Sequence, residues 1–362
     1  MKSKRSLMQM FRAGAALLAL PAVVHAQFIF TTNNGAITIT GYTGSGGAVA
    51  IPGSTNGYPV TRIGDQAFYT NDSITSVSIP GSVTNIGTSA FYSCTRLAGV
   101  TIGTNVTGIG DAAFESCPLT GVAIPDSVTT LGDYVFDNCV SLTNVTIGRK
   151  VSSLGQYVFS SCFHMTNVVI PASVTDIGAW AFESCYDLTS VTIPDSVTNI
   201  GAGAFYECYN NLTNVTFGNR LTGIGDYAFA DCAVMKAAYF RGNAPAVDSS
   251  VFSYGTAPVV YYLPGTSGWG DFAAITGLTT AGWYLPYPII LNFEPNFGIQ
   301  TNRFGFTISW ATNTSVVTEA ATNLAGPNWT PISTNALTAG SSYFSDPQWT
   351  NYPTRFYRLA SE

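Results

Sequence analysis

The sequence predicts a mainly β protein: a solenoid of about eight coils of 22–24 residues, capped at both ends and followed by a small antiparallel β domain. Two columns and one line carry that expectation. A phenylalanine recurs at Phe68, Phe91, Phe114, Phe136, Phe159, Phe182, Phe205 and Phe229, in steps of 23, 23, 22, 23, 23, 23 and 24. Three residues after every one but the first stands a cysteine, at Cys94, Cys117, Cys139, Cys162, Cys185, Cys208 and Cys232; the first unit has Asn71 there. Each unit also carries a short apolar line, such as Leu188, Val191 and Ile193, recurring as Leu97, Val100 and Ile102. One unit cannot bury its own apolar face, whereas stacked units build a continuous core.

From the N-terminus, residues 1–26 combine Lys2, Lys4, Arg5 and Arg12 with the apolar "AGAALLALPAVV" and a closing "VHA". A basic start, a hydrophobic run too short for a bilayer and a small-residue end predict a secretory signal peptide. No second apolar run is long enough to span a membrane, so the mature chain is expected to lack a transmembrane segment. Residues 27–62 read as an N-terminal cap and first coil with a Gly-rich loop. Residues 63–240 are the repeats: "LTSVTIP" alternates Val and Thr toward a proline stop and reads as a short strand with one face buried. In "SVTNIG", Val197 and Ile200 point inward and Gly201 turns the chain; "AF..C" closes the coil as a compact turn. The length changes fall between Cys117 and Leu119 and between Cys208 and Leu212, in the same corner of the coil. Residues 241–284 break the period and read as a closing cap. In residues 285–362, "FGFTISWA" places Phe304, Phe306, Ile308 and Trp310 on one strand face, and further strand candidates follow.

The phrase "IP.SVT.IG..AF..C..L..V." stands at Ile124–Leu142, Ile170–Leu188 and Ile193–Leu212. It resembles the BspA-type leucine-rich repeats of secreted and surface proteins, over about Val60 to Phe240. The resemblance implies a leucine-rich-repeat solenoid and a role as an adhesin or binding protein of cell surfaces.

Charge narrows the partners. Of 14 Lys and Arg, four lie in the leader, leaving 10 basic against 20 acidic residues, a net charge of −10 in the mature chain. That balance excludes nucleic acid as the expected partner and gives no basic patch for anionic lipid. Candidate chemistry is sparse, and no catalytic residue, metal or cofactor is expected. His164 is the single histidine of the mature chain and sits in a surface corner. Asp126 and Asp195 share a column, but three coils separate them by about 15 Å at about 4.8 Å per coil, too far for paired-carboxylate hydrolysis. Glu115, Asp137 and Glu183 share another column, read as loop carboxylates on an outer surface. The cysteines form a single file, which cannot converge tetrahedrally on a metal. They read as a ladder of buried structural thiols; disulfides between neighbours are the alternative in an oxidising compartment, although seven is odd.

Two aromatic columns break the small polar habit of the surface. Tyr134, Tyr157 and Trp180 stand two residues before the phenylalanine in successive coils, with Tyr227 after a gap at Gly203. Phe163, Tyr186 and Tyr209 follow the cysteine in successive coils. Such strips are candidate contacts for an extracellular protein or glycan. Thr101, Thr146, Thr192 and Thr216 form a weaker candidate ladder on the strand face. The expected function is non-catalytic adhesion or binding, secreted or at the cell surface. The alternatives are a structural spacer with binding or anchoring in the C-terminal β domain and, more weakly, an enzyme of unknown type.

Overall fold

A computed structural model describes residues 27–361 apart from 294, 302 and 326. The leader segment lies outside the described residues. The chain winds as a β-solenoid of about eleven turns. One side is a line of short parallel strands running from Gly47–Ala50 through Asn144–Thr146, Asn167–Val169 and Ser190–Thr192 to Thr280–Gly282. Equivalent residues pair in register: Val145 opposes Val168, and Val191 opposes Val215. A second line consists of two-residue strands such as Asp176–Ile177 and Asn199–Ile200, also parallel. The "AF..C" turns form the third side. They are joined coil to coil by backbone hydrogen bonds such as Phe159 N–H to Ala181 O at 2.8 Å and Ser161 N–H to Glu183 O at 2.8 Å.

The core runs along the axis. Val, Ile and Leu of every coil point inward, and nine phenylalanines stack as one spine from Phe68 to Phe252, with neighbouring centroids 4.7–5.6 Å apart and planes within 18°. Offset stacking at this spacing adds about 0.5–1.5 kcal/mol per pair beyond the area buried. Beside the spine runs the cysteine file. Each Sγ donates to the carbonyl of the repeat phenylalanine one coil earlier, from Cys94 to Phe68 at 3.1 Å through Cys232 to Phe205 at 3.3 Å. That carbonyl also accepts the N–H of its own coil's cysteine, as Phe91 O does from Cys94 N at 3.3 Å and Cys117 Sγ at 3.0 Å. Both lone pairs of a buried carbonyl are thereby used. Asn71 breaks the column where no repeat phenylalanine precedes it. Its Oδ1 accepts instead from Ser73 N, Ser73 Oγ and Ile74 N at 3.0, 2.7 and 3.2 Å, an Asx turn.

The closing segment is more regular than its broken period implies. Val259–Tyr262 pairs in parallel with Ala237–Phe240, and Phe252 continues the spine. A helix not anticipated from the sequence, Trp269–Thr276, lays Trp269 and Phe272 against Phe240 at 5.0 and 5.8 Å. It covers the last coil, as a solenoid end requires. Beyond it, two antiparallel sheets form the C-terminal domain around Phe306, Ile308, Val316, Leu337 and Phe344. The strand Arg303–Ser309 buries both faces: Thr307 and Ser309 are buried as well as Phe306 and Ile308. The second face closes on the cap, where any side chain at Gly265 would collide with Thr307 Cγ2.

Removing one ring from mid-spine opens a cavity that both neighbouring coils line. Phe159→Ala is expected to cost about 3–5 kcal/mol in urea unfolding, whereas Thr146→Ala on the exposed strand face should change stability by no more than about 0.5 kcal/mol.

Candidate interaction surface

Each repeat coil bends through the left-handed backbone region twice, two residues before and two residues after its phenylalanine. The first position holds Gln66, Ser89, Ala112, Tyr134, Tyr157, Trp180, Gly203 and Tyr227, with φ between 51° and 60°. The second holds small or polar residues such as Ser161, Ser184 and Asp231. The turn geometry therefore forces φ > 0 at a position where glycine is favoured and bulky side chains are disfavoured. Four of these eight positions nevertheless carry Tyr or Trp.

The sequence-predicted residues come together as two stacked ladders. Tyr134 and Tyr157 stack at 4.8 Å and 7°, and Tyr157 and Trp180 at 6.1 Å and 11°. Phe163 and Tyr186 stack at 4.8 Å and 2°, and Tyr186 and Tyr209 at 4.5 Å and 30°. Tyr134 is exposed and the other five are half-buried, largely by one another. Solvent consequently meets ring edges and phenol hydroxyls along each ladder. Burial and the charge of Glu183 raise the Tyr157 phenol above its ordinary range, so its hydroxyl stays a donor at neutral pH.

The first ladder extends beyond the predicted column. The indole of Trp180 lies across Gly203, occupying the space a side chain there would need. It meets Tyr206 edge-on at 5.6 Å and 73°. Tyr206 was not legible as a member, because the contact crosses from one column to the next; the glycine gap was its only signal. Further along the strand face, Tyr239 stacks on Tyr261 at 5.1 Å and lies 5.0 Å from Trp283. The predicted threonine ladder is exposed at Thr101, Thr146 and Thr192, with Val169 71% exposed between them. A more regular hydroxyl ladder runs on the second side. Thr84, Thr107, Thr129, Ser152, Thr175, Thr198 and Thr222 each donate to a carbonyl one coil back, at 2.8–3.4 Å.

The candidate chemical groups do other things. Asp126 and Asp195 accept backbone N–H groups of Arg149 and Asn219 in the next coil at 2.8 and 3.0 Å. His164 Nδ1 lies 3.0 Å from Asp187 Oδ2 on the exposed corner. Burial pushes the Cys232 thiol up to about 12 and raises Cys139, Cys162, Cys185 and Cys208 far above the ordinary thiol range. Protonated thiols keep the S–H donor and lack nucleophilic character. Among the described residues, no group of three or more His, Cys, Asp or Glu is arranged to hold a metal ion, and no helix is long and apolar enough to cross a membrane. The carboxylate column differs from its reading as an outer surface: Glu115, Asp137 and Glu183 are half-buried beneath the turn. Burial raises all three, and the charge of Asp137 raises Glu115 further; Ser160 partly offsets the shift at Asp137 and at Glu183.

A strand, an inward leucine or methionine and a turn closed by a cysteine recur coil after coil from Cys94 to Cys232, and the fold is that of a leucine-rich-repeat solenoid. Six copies of the BspA type Leucine rich repeat region match over residues 61–189 and 177–259, and the chain belongs to that family. Among solved structures, it is similar to the leucine rich repeat protein TpLRR of T. pallidum, at 32% identity over 58% of this chain and 88% of that one, with a TM-score of 0.44. A leucine rich cell surface protein from Faecalibacterium prausnitzii A2-165 is 27% identical over 69% and 96%, with a TM-score of 0.31. The pneumococcal vaccine antigen PcpA is 14% identical over 71% and 97%, with a TM-score of 0.42. No curated protein matches the chain.

The half-buried carboxyls give a pH signature. Raised values mean that the folded state binds these protons more readily than the unfolded state does. Stability therefore rises as pH falls from neutral through the raised values toward the ordinary carboxylate range. Melting temperature is expected to climb between about pH 7 and about pH 5, and Glu115→Gln with Asp137→Asn should flatten that climb.

Proposed function

We propose that this chain is a non-catalytic, extracellular binding protein that recognises a protein or glycan partner through its aromatic ladders. One observation carries the reading. Tyr134, Tyr157, Trp180 and Tyr227 occupy a left-handed column that Gly203 fills within the same solenoid. Bulky rings at such a position oppose the local backbone preference, stacking offsets that cost only in part, and backbone outliers of this kind point to function. The rings are also only partly covered, and the ladders lie on the turn side, clear of the apolar core.

Recognition on this reading is multivalent. Tyr134, Tyr157, Trp180 and Tyr206 present edges and hydroxyls at coil spacing, and Phe163, Tyr186 and Tyr209 form a parallel row. Aromatic anchors of this kind dominate interfaces when a partner completes their burial. The basic, apolar leader supports export, which would put the surface outside the cell.

A second reading has its own support. The rings stack on one another, which a purely structural spacer would also use, with partner contacts left to the C-terminal domain. An array of immobilised glycans and extracellular matrix proteins separates the two. Tyr157→Ala, Trp180→Ala and Tyr186→Ala combined should reduce binding to the captured partner by about tenfold or more, with folding checked by circular dichroism. Unchanged binding to every captured partner would sink the ladder reading and favour the spacer.

A further inference from the structure

The solenoid meets the C-terminal domain along a cleft whose chemistry differs from the rest of the surface. Its larger part, about 640 Å³, is lined by Asn219, Arg220 and Asn243 from the solenoid corner and by Asn292, Phe293 and Phe297 from the C-terminal side. A smaller part, about 260 Å³, shares Asn219, Asn292 and Phe293 and adds Arg241 and Asp195. The larger volume falls within the roughly 300–1,000 Å³ of small-molecule sites, which favour domain junctions.

The walls are pinned where they meet. Asn219 Nδ2 donates to Asn292 Oδ1 at 2.7 Å, and Asn219 N–H donates to Asp195 Oδ1 at 3.0 Å. Asn243 Oδ1 accepts the Ser267 N–H at 3.0 Å. The Nδ2 groups of Asn243 and Asn292 have no hydrogen-bond acceptor among the described residues, and neither Arg220 nor Arg241 forms an ion pair among them. Arg220 thus lines the larger part and Arg241 the smaller in a chain of net charge −6, against one lining carboxylate among the described residues, Asp195, that already accepts the Asn219 N–H. Phe293 and Phe297 supply half-buried apolar surface beside these donors.

We propose that this cleft is a binding site for a carboxylate-bearing saccharide, a uronic-acid oligomer, separate from the aromatic ladders. Guanidinium groups match a carboxylate in charge and planar geometry. The uncommitted amides of Asn243 and Asn292 suit sugar hydroxyls, and the phenylalanine rings suit the C–H face of a pyranose. A concave site of this size takes a few sugar rings rather than a protein surface.

Calorimetric titration of the full chain with trigalacturonate, and with cellotriose as its neutral counterpart, tests the assignment. Trigalacturonate should bind, more weakly as salt is raised, and cellotriose should bind at least about tenfold less tightly. Combined Arg220→Gln and Arg241→Gln should weaken trigalacturonate by about tenfold or more, while Tyr157→Ala leaves it unchanged and shows that the ladders are not involved. Both arginines are exposed, so the double variant is expected to keep the parent melting temperature. Absence of trigalacturonate binding, equal affinity for cellotriose, or a smaller loss in the arginine variant would overturn the proposal.

Discussion

The structure depends on how a buried turn satisfies its own backbone. At the "AF..C" corner the chain reverses inside a stack of coils, where no water reaches the phenylalanine carbonyl. That carbonyl accepts the N–H of its own coil's cysteine and has a second lone pair to fill, and the solenoid meets both demands once per coil. The cysteine at this corner is small, apolar enough to be fully buried and still a donor. Its S–H reaches back one coil at 3.0–3.3 Å while its own N–H closes the turn. The phenylalanine spine and the aromatic rows take their spacing from the parallel backbone ladders between coils, and the thiol contact repeats at that same interval.

That same turn explains why the surface is informative. Two left-handed residues per coil are needed to close it, and the fold accepts Gln, Ser, Ala or Gly at the first of them. Rings at Tyr134, Tyr157 and Trp180 are therefore additions to the scaffold rather than requirements of it. Stacking recovers part of their cost by covering ring faces, and it leaves edges and hydroxyls for a partner. Packing and recognition are coupled here: truncating Trp180 uncovers both Tyr157 and Gly203.

Much of this was legible in the sequence because period and chemistry agreed. The Phe and Cys columns, the inward Val and Ile positions and the stacked rows follow from residues recurring at fixed steps. Contacts that cross columns did not follow. Tyr206 joins Trp180 only because Gly203 leaves room, and no single column states that. The left-handed pair was hidden because the fold imposes it on ordinary residues, with Gly203 as the lone compositional sign. The half-burial of Glu115, Asp137 and Glu183 was missed for a similar reason, since a polar letter in a turn reads as exposed until the neighbouring coils are in place. The capping helix Trp269–Thr276 is eight residues long and contains Gly270, too short and too interrupted for a periodic signal. The junction cleft draws on residues more than seventy positions apart, as the Asn219–Asn292 hydrogen bond illustrates.

The central claim is that the cysteines act as hydrogen-bonding thiols and not as disulfides. Thiol titration of the protein unfolded in denaturant, with no reductant at any stage, tests it directly. The account predicts seven reactive thiols per chain. A count of one, with the other six cysteines paired, would contradict it and would mean that the coils are stapled covalently.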